Sequence, residues 1–226
     1  MKNILNIKIL NVPLSLLISF IIFSLIFIFF PQIDIFVAKL FYNPDSFYSF
    51  TFYKTPLEQF LYHSVKPIVI VITLSSLCIY LFNKLMKKHI FNLNTKAMIF
   101  IILTVSIAPG LIVNAILKEN WGRPRPAQIK ELGGTMNFSP AFIPTKQDGY
   151  SFSSGHTAAA FSLIGFALLA KKRKKFYLTL VFVYGVVISL TRMAVGGHFL
   201  SDVVTSFFIV YITTLILYGL IIKGKT

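Results

Sequence analysis

Six long apolar runs dominate this sequence and constrain its fold more than any other feature. They cover residues 12–30, 67–82, 97–117, 157–170, 176–193 and 203–222. A helix needs about 20 apolar residues to cross the hydrocarbon core of a bilayer. Because hydrophobic residues make up 56% of the chain and charged residues only 13%, a soluble globular fold is excluded. The sequence therefore predicts an all-α polytopic membrane protein with six transmembrane helices.

The charges divide between the two ends of these runs. If the N-terminus is cytoplasmic, thirteen of the 22 Lys and Arg residues lie in short cytoplasmic segments, namely Lys2, Lys8, the 84–96 and 171–175 clusters, Lys223 and Lys225. All seven acidic residues then lie on the opposite side. This positive-inside pattern predicts cytoplasmic N- and C-termini. The net charge of +15 is thus interpreted as a topology signal, which anionic lipid can reinforce, rather than as nucleic-acid binding.

The remaining segments suggest one integral membrane domain over residues 1–226. A cleaved signal peptide is an alternative for the first run, but no small-x-small cleavage site follows it, so an uncleaved anchor is expected. Residues 33–41 resemble an amphipathic interfacial segment, and Tyr42, Tyr48, Tyr53 and Tyr62 suit an aromatic belt. The single cysteine, Cys78, excludes an intrachain disulfide.

With this topology, three polar clusters share the outer face of the membrane. They are Lys118–Pro126, Ser153–His156 and Arg192–Asp202. Ionisable residues at membrane depth are costly and are by default functional. The alternatives are snorkelling cations in the first cluster and an ordinary serine cap in the second. The third cluster could also have only a structural role, with Asp202 capping the last helix beside an interfacial His198.

The chemistry of the clusters favours a phosphate site. Cations and the N–H groups at a helix start bind phosphate oxygens. His198 and Asp202 are four residues apart, so on one helix face the carboxylate could fix the tautomer of the imidazole. One histidine could then attack phosphorus while the other protonates the leaving oxygen. A metal site is disfavoured, because cations crowd the histidines and Asp202 is the one carboxylate nearby.

The motifs resemble those of the PAP2 (type 2 phosphatidic acid phosphatase) superfamily of membrane lipid phosphatases. In that family a lysine, six residues and Arg-Pro form the first motif, matched by Lys118 and Arg125-Pro126. Pro-Ser-Gly-His, the second, is matched by Ser153-Ser-Gly-His156, and Ser-Arg-x5-His-x3-Asp by Thr191-Arg-x5-His198-x3-Asp202. Ser153 and Thr191 depart from the pattern beside the reactive positions. The resemblance spans a core of about residues 97–215.

This resemblance implies a role for each matched residue. His198 would be the nucleophile that forms a phosphohistidine, Asp202 would orient it, and His156 would be the general acid. The phosphoryl oxygens would be held by Lys118, Arg125, Arg192, Ser154 and Gly155. Arg123 also precedes a proline, but the six-residue spacing favours Arg125. No metal or other cofactor is implied.

Residues 109–126 and Glu131-Leu-Gly-Gly134 are similar to the bacterial lipid A phosphatase branch of the family. The expected partner is therefore a lipid phosphate, with lipid A 1- or 4′-dephosphorylation at the periplasmic face as the first expectation. Undecaprenyl diphosphate and phosphatidylglycerophosphate are the alternative substrates. A phosphotransferase on the same fold, or an anion transporter, would use the same cations differently. The oligomeric state stays open.

Overall fold

A computed structural model describes residues 7–46 and 48–224, and its architecture is helical. A hairpin pairs β1, Lys8–Ile9, with β2, Val12–Pro13. The helices in chain order are α1 Leu14–Phe29, α2 Gln32–Lys39, α3 Pro56–Met86, α4 Thr95–Val105, α5 Gly155–Ser162, α6 Ile164–Leu169, α7 Lys174–Ala194 and α8 Leu200–Leu217. The π-helical segments Ser106–Lys118 and Tyr218–Lys223 extend α4 and α8. Single 3-10 turns lie at Ile90–Asn92, Pro126–Gln128 and Lys130–Leu132.

Within the described residues, four helices are long and apolar enough to cross a membrane. They are Pro56–Met86, Thr95–Lys118, Lys174–Ala194 and Leu200–Lys223. A fifth span results if α1 and α2, which are bent by 85° at the break between them, form one crossing. The remaining apolar run forms the shorter helical segment Gly155–Leu169. The chain is thus a multi-pass membrane protein with four or five candidate spans, and the six-helix layout stays a prediction.

Two elements differ from the sequence prediction. The second membrane helix begins at Pro56 and continues through Pro67, rather than beginning near Pro67. Its start is set by Thr55, whose hydroxyl accepts a hydrogen bond from the N–H of Glu58, and by the proline at the first helical position. The predicted interfacial segment 33–41 forms most of α2, but its Asp34 side chain is fully buried. The segment therefore packs into the protein through a charged group.

Helix α5 lies at the centre of the bundle, where it packs against α7, α8 and the extension of α4. The core around it contains Ala108, Val113, Ala158, Phe161, Ile164 and Val210. Close approach depends on Gly185 of α7, because a Cβ atom there would lie 2.4 Å from Cε1 of Phe161. The Phe161 ring is held in turn by Phe207, with ring centroids 4.9 Å apart.

Replacing Gly185 should therefore loosen the bundle. The Phe161 ring is buried and cannot move aside freely, so Gly185→Ala should lose about 1–3 kcal/mol to overpacking. We expect the melting temperature of the detergent-purified protein to fall by about 5 °C. Gly110→Ala is the matched control, because its Cβ would meet nothing nearer than the Val105 carbonyl oxygen at 3.9 Å. Equal shifts for the two variants would contradict this account of the packing.

Candidate active site

The motif residues converge from helix ends that are far apart in sequence. Lys118 ends the extension of α4, Ser154 and His156 lie at the start of α5, and Arg192 lies in the last turn of α7. His198 lies in the connection between α7 and α8, and Asp202 lies in the first turn of α8. The charge of Lys118 interacts with those of Arg125, Arg192 and Asp202, and His156 interacts with Arg192, His198 and Lys118. The structure therefore brings the predicted residues together.

A backbone carbonyl orients the His198 imidazole. Nδ1 of His198 lies 2.8 Å from the carbonyl oxygen of Ser151. Because a carbonyl oxygen can only accept, Nδ1 carries the proton, and the lone pair of the neutral ring is on Nε2. The side chain is 2% exposed, so its orientation is fixed by packing as well. This geometry leaves Nε2 as the ring atom with a lone pair that could act as a base or a nucleophile.

The position of Asp202 differs in detail from the sequence expectation. Its Oδ2 atom lies 3.8 Å from Nδ1 of His198, which is an ion-pair distance rather than a hydrogen bond. Oδ2 instead accepts hydrogen bonds from the Ser151 hydroxyl at 2.6 Å and from the Phe199 N–H at 2.8 Å. Asp202 therefore does cap α8, as the alternative interpretation suggested. It also supports the imidazole indirectly, through the residue whose carbonyl holds Nδ1.

The environment keeps His198 neutral. Burial is the main cause that lowers the pKa of His198, to about 4, and the positive charges of Arg192 and Lys118 lower it further. The Asp202 carboxylate opposes this shift. Protonation would block the Nε2 lone pair, so the form with a free lone pair exists above pH 4 and is lost as the pH falls through that value. The imidazole is thus neutral at neutral pH.

Arg123 holds Asp202 from the other side in a fully buried charge network. Its Nη1 atom donates to Oδ1 of Asp202 at 2.5 Å and its Nη2 atom to Oδ2 of Asp34 at 2.8 Å. The Ser201 hydroxyl joins the same network through Nη1 of Arg123 at 2.8 Å and Oδ2 of Asp34 at 2.5 Å. Burial alone would lower the pKa of Arg123, but the Asp202 and Asp34 carboxylates raise it above its ordinary value. Arg123 is thus permanently charged and structural.

The motif spacing favoured Arg125 and gave Arg123 no role. The structure gives each arginine a different environment, because Arg125 interacts with the cations Lys118 and Arg192 whereas Arg123 is buried between two carboxylates. The missed signal was the solitary acid Asp34, because an acidic residue beside an apolar segment needs a cationic partner. The sequence held no indication of which cation that would be.

Helix α3 contributes two further residues that the sequence analysis did not place in the site. Nη1 of Arg192 lies 3.7 Å from Oε1 of Glu58, and its guanidinium carbon lies 4.9 Å from the centroid of the Tyr62 ring. The same tyrosine stacks on His156, with ring centroids 4.3 Å apart. Tyr62, which the sequence analysis placed in an aromatic belt, therefore also packs against two site residues. Its placement follows from the early start of α3.

A glycine makes room for the arginine. A Cβ atom on Gly197 would lie 2.6 Å from Nη2 of Arg192, and the N–H groups of Gly197 and His198 both donate to the Arg192 carbonyl oxygen. Gly196, with φ of +66°, makes the preceding turn. The Gly-Gly pair thus folds the chain back at the end of α7. His198 is thereby placed next to the guanidinium.

The start of α5 presents polar atoms to the same space. The Ser154 hydroxyl caps the helix by accepting from the Thr157 N–H at 3.5 Å, in line with the alternative interpretation of this serine. Among the described residues, nothing hydrogen-bonds to the buried Ser153 hydroxyl or to Nε of Arg192. Buried polar atoms are normally satisfied, so these two are available to a bound oxyanion. No group of three His, Cys, Asp or Glu side chains that could hold a metal ion occurs in the described part of the chain.

Removing a carboxylate from the buried network should destabilise the protein. Asp34→Asn keeps the shape of the side chain but leaves Arg123 with a single carboxylate, and breaking a buried ion pair costs about 3–5 kcal/mol. We expect the melting temperature in detergent to fall by about 10 °C. Asp45→Asn is the control, because Asp45 is an exposed acid in the loop after α2. If Asp34→Asn lowers the melting temperature no more than Asp45→Asn does, the network contributes little to stability.

Comparison with known proteins agrees with this geometry. The PAP2 superfamily model matches residues 97–224, the region that carries all three motifs. A curated protein of Francisella tularensis subsp. novicida (strain U112), named lipid A 4′-phosphatase, is 35% identical over 88% of this chain and 90% of its own length.

Two rhizobial proteins with the same name match a shorter region. The protein from Rhizobium leguminosarum is 36% identical over 45% of each chain. The one from Rhizobium etli (strain ATCC 51251) is 38% identical over 43% of this chain and 39% of its own. No solved structure matches the chain. The family match covers more than half of the sequence, and with the assembled motifs it shows that this chain belongs to the PAP2 superfamily and is a phosphoric monoester hydrolase.

Proposed function

We propose that this protein is a metal-independent lipid phosphatase that removes a phosphate from lipid A through a phosphohistidine on His198. The observation that carries the proposal is the orientation of His198. Its Nδ1 proton is held by the Ser151 carbonyl, and the positive charges of Arg192 and Lys118 act on the same ring. Lys118, Arg125 and Arg192 already supply the positive charge that a metal ion would otherwise bring to a phosphoryl group.

In the first step, Nε2 of His198 attacks phosphorus and the bond from phosphorus to the lipid oxygen breaks. The leaving alkoxide takes a proton from His156, which acts as the general acid. In the second step, water attacks the phosphohistidine, His156 accepts a proton from it, and orthophosphate leaves with the His198 lone pair restored. Asp202 positions His198 through Ser151, and its negative charge stabilises the imidazole as it becomes positive.

The phosphoryl oxygens have identifiable partners. Lys118, Arg125 and Arg192 provide fixed cations, and the Gly155 N–H and the Ser154 side chain lie at the start of α5. A bound phosphate oxygen would satisfy the unpartnered Nε of Arg192. These donors would gain strength as negative charge develops on the oxygens, which is the basis of transition-state stabilisation.

The proposed substrate follows from the comparison with known proteins. Lipid A is favoured over undecaprenyl diphosphate and phosphatidylglycerophosphate by the names of the three relatives, and these names favour its 4′-phosphate over the 1-phosphate.

We infer that Gly155–Leu169 completes a six-helix bundle in the inner membrane of a bacterium. The basic segments would then be cytoplasmic and the site periplasmic. Lys2 and Lys225, which also support this orientation, lie outside the described residues.

The proposal is tested by phosphate release from the detergent-purified protein in the presence of EDTA. We expect lipid A to lose one phosphate, identified as the 4′-phosphate by mass spectrometry, and undecaprenyl diphosphate and phosphatidylglycerophosphate to react more slowly. His198→Ala should abolish the reaction, because no nucleophile remains. Phosphate release that needs an added acceptor lipid would instead indicate a phosphotransferase. Anion flux that persists in His198→Ala would indicate a transporter.

Loss of a phosphate-binding cation should reduce activity severely. Arg192→Ala and Lys118→Ala each remove charge stabilisation from the transition state, and we expect kcat to fall on the order of 10²-fold or more. Arg173→Ala is the control, because Arg173 lies at the opposite end of α7. Steady-state kinetics on lipid A measures all three variants. An Arg173→Ala loss as large as that of Arg192→Ala would refute the assignment of the site.

A further inference from the structure

The helix that begins at the active site is too short to reach the other end of the bundle. Gly155–Leu169 contains 15 residues and rises by about 22 Å, whereas the hydrocarbon core of a bilayer is about 30 Å thick. Its neighbour α3 has 31 residues and α7 has 21. Since the start of the segment is fixed at the site by the Ser154 cap, the shortfall lies beyond Leu169.

An apolar cavity of about 720 Å³ occupies that end of the bundle. It lies between α3, α4, α6 and α7, and its walls include Ile72, Ile101, Phe166, Leu180 and Val181. None of the proposed catalytic or phosphate-binding residues lines it. The cavity is therefore separate from the active site and follows from the early end of α6.

One end of this cavity is basic. Lys171 and Lys172 belong to its lining. A second cavity of about 540 Å³ shares Leu169, Ala170 and Lys171 with the first and adds Lys96 and Lys174. No Asp or Glu occurs among the described residues that line either cavity. An apolar space thus opens directly onto a concentration of positive charge.

We propose that the two cavities form a binding site for an anionic phospholipid that is held and not hydrolysed. Water gains little from an apolar cavity, so an acyl chain is the occupant that a bilayer supplies for the larger space. The phosphate of the headgroup lies where the two cavities meet, beside Lys172 of the larger cavity and Lys96 and Lys174 of the smaller one. Each lysine near an anionic lipid contributes about 1 kcal/mol, so the site distinguishes anionic from zwitterionic headgroups.

Lipid binding to delipidated, detergent-purified protein tests this site. Native mass spectrometry would compare phosphatidylglycerol with phosphatidylcholine of the same acyl chains, and with inorganic phosphate. We expect one phosphatidylglycerol to bind at least about tenfold more tightly than phosphatidylcholine, and inorganic phosphate to bind weakly. Equal binding of the two phospholipids, or tight binding of phosphate alone, would overturn the proposal.

Two sets of variants separate the acyl-chain and headgroup parts of the site. The double variant Lys172→Gln with Lys174→Gln should weaken phosphatidylglycerol binding by about tenfold or more, and Ser75→Trp should block the apolar cavity from its α3 wall. Lys175→Gln is the matched control, because Lys175 is exposed in the same basic run but lines neither cavity. Melting temperatures without lipid would verify that each variant folds.

The outcomes are distinct from those of the phosphatase assays. If Lys175→Gln weakens binding as much as the double variant, the lysines act as a general basic surface and the proposal fails. If Ser75→Trp leaves binding unchanged, the apolar cavity does not hold the acyl chain and the proposal also fails. The proposed catalytic activity can be present or absent in either case.

Discussion

The buried contact of Arg123 with two carboxylates is the interaction on which the site depends. Neither an arginine nor an aspartate is stable in an apolar interior without a partner, and this guanidinium satisfies Asp34 and Asp202 together. The network joins α2, the loop after α4 and the start of α8, three segments that share no regular backbone pairing. Removing any one of these charged side chains would leave a buried charge without its partner, so the three segments are held in this arrangement. The Phe199 ring, 4.5 Å from the guanidinium carbon, excludes water from it.

A chain of contacts transmits this rigidity to the histidine. Arg123 donates a hydrogen bond to Asp202, and Asp202 accepts a hydrogen bond from the Ser151 hydroxyl. The carbonyl of Ser151 in turn accepts the proton on Nδ1 of His198. The backbone also contributes, because the Ser151 N–H donates to the Arg123 carbonyl oxygen at 2.9 Å. Arg123 is thus a positioning residue that acts on His198, the proposed nucleophile, through two other residues. A neutral serine carbonyl beside Nδ1 fixes the tautomer without raising the basicity of the ring as strongly as a directly bonded carboxylate would.

Sequence reasoning succeeded where the signal was local. The three motifs were found from spacing within eleven or fewer residues, and the structure brings Lys118, His156, Arg192 and His198 together. It failed for partners that only the tertiary fold selects. Asp34 is 89 residues from Arg123, and nothing in its neighbourhood distinguishes a buried partner from an interfacial acid. The contacts of Tyr62 with Arg192 and His156 were missed for the same reason, because they depend on α3 beginning at Pro56 and passing through Pro67.

The distance between Arg192 and Glu58 bears on the proposed catalysis. At 3.7 Å it is too long for a strong hydrogen bond, yet it places a negative charge beside a guanidinium whose Nε has no partner among the described residues. Glu58 therefore balances part of the positive charge before substrate binds, which makes a cluster of cations tolerable in a buried site. In the proposed mechanism, a phosphate would bring more negative charge and would satisfy the unpartnered nitrogen, so it would compete favourably for Arg192. The stacking of Tyr62 on both Arg192 and His156 meanwhile holds the two groups in place, and the proposed site needs little rearrangement when the phosphate arrives.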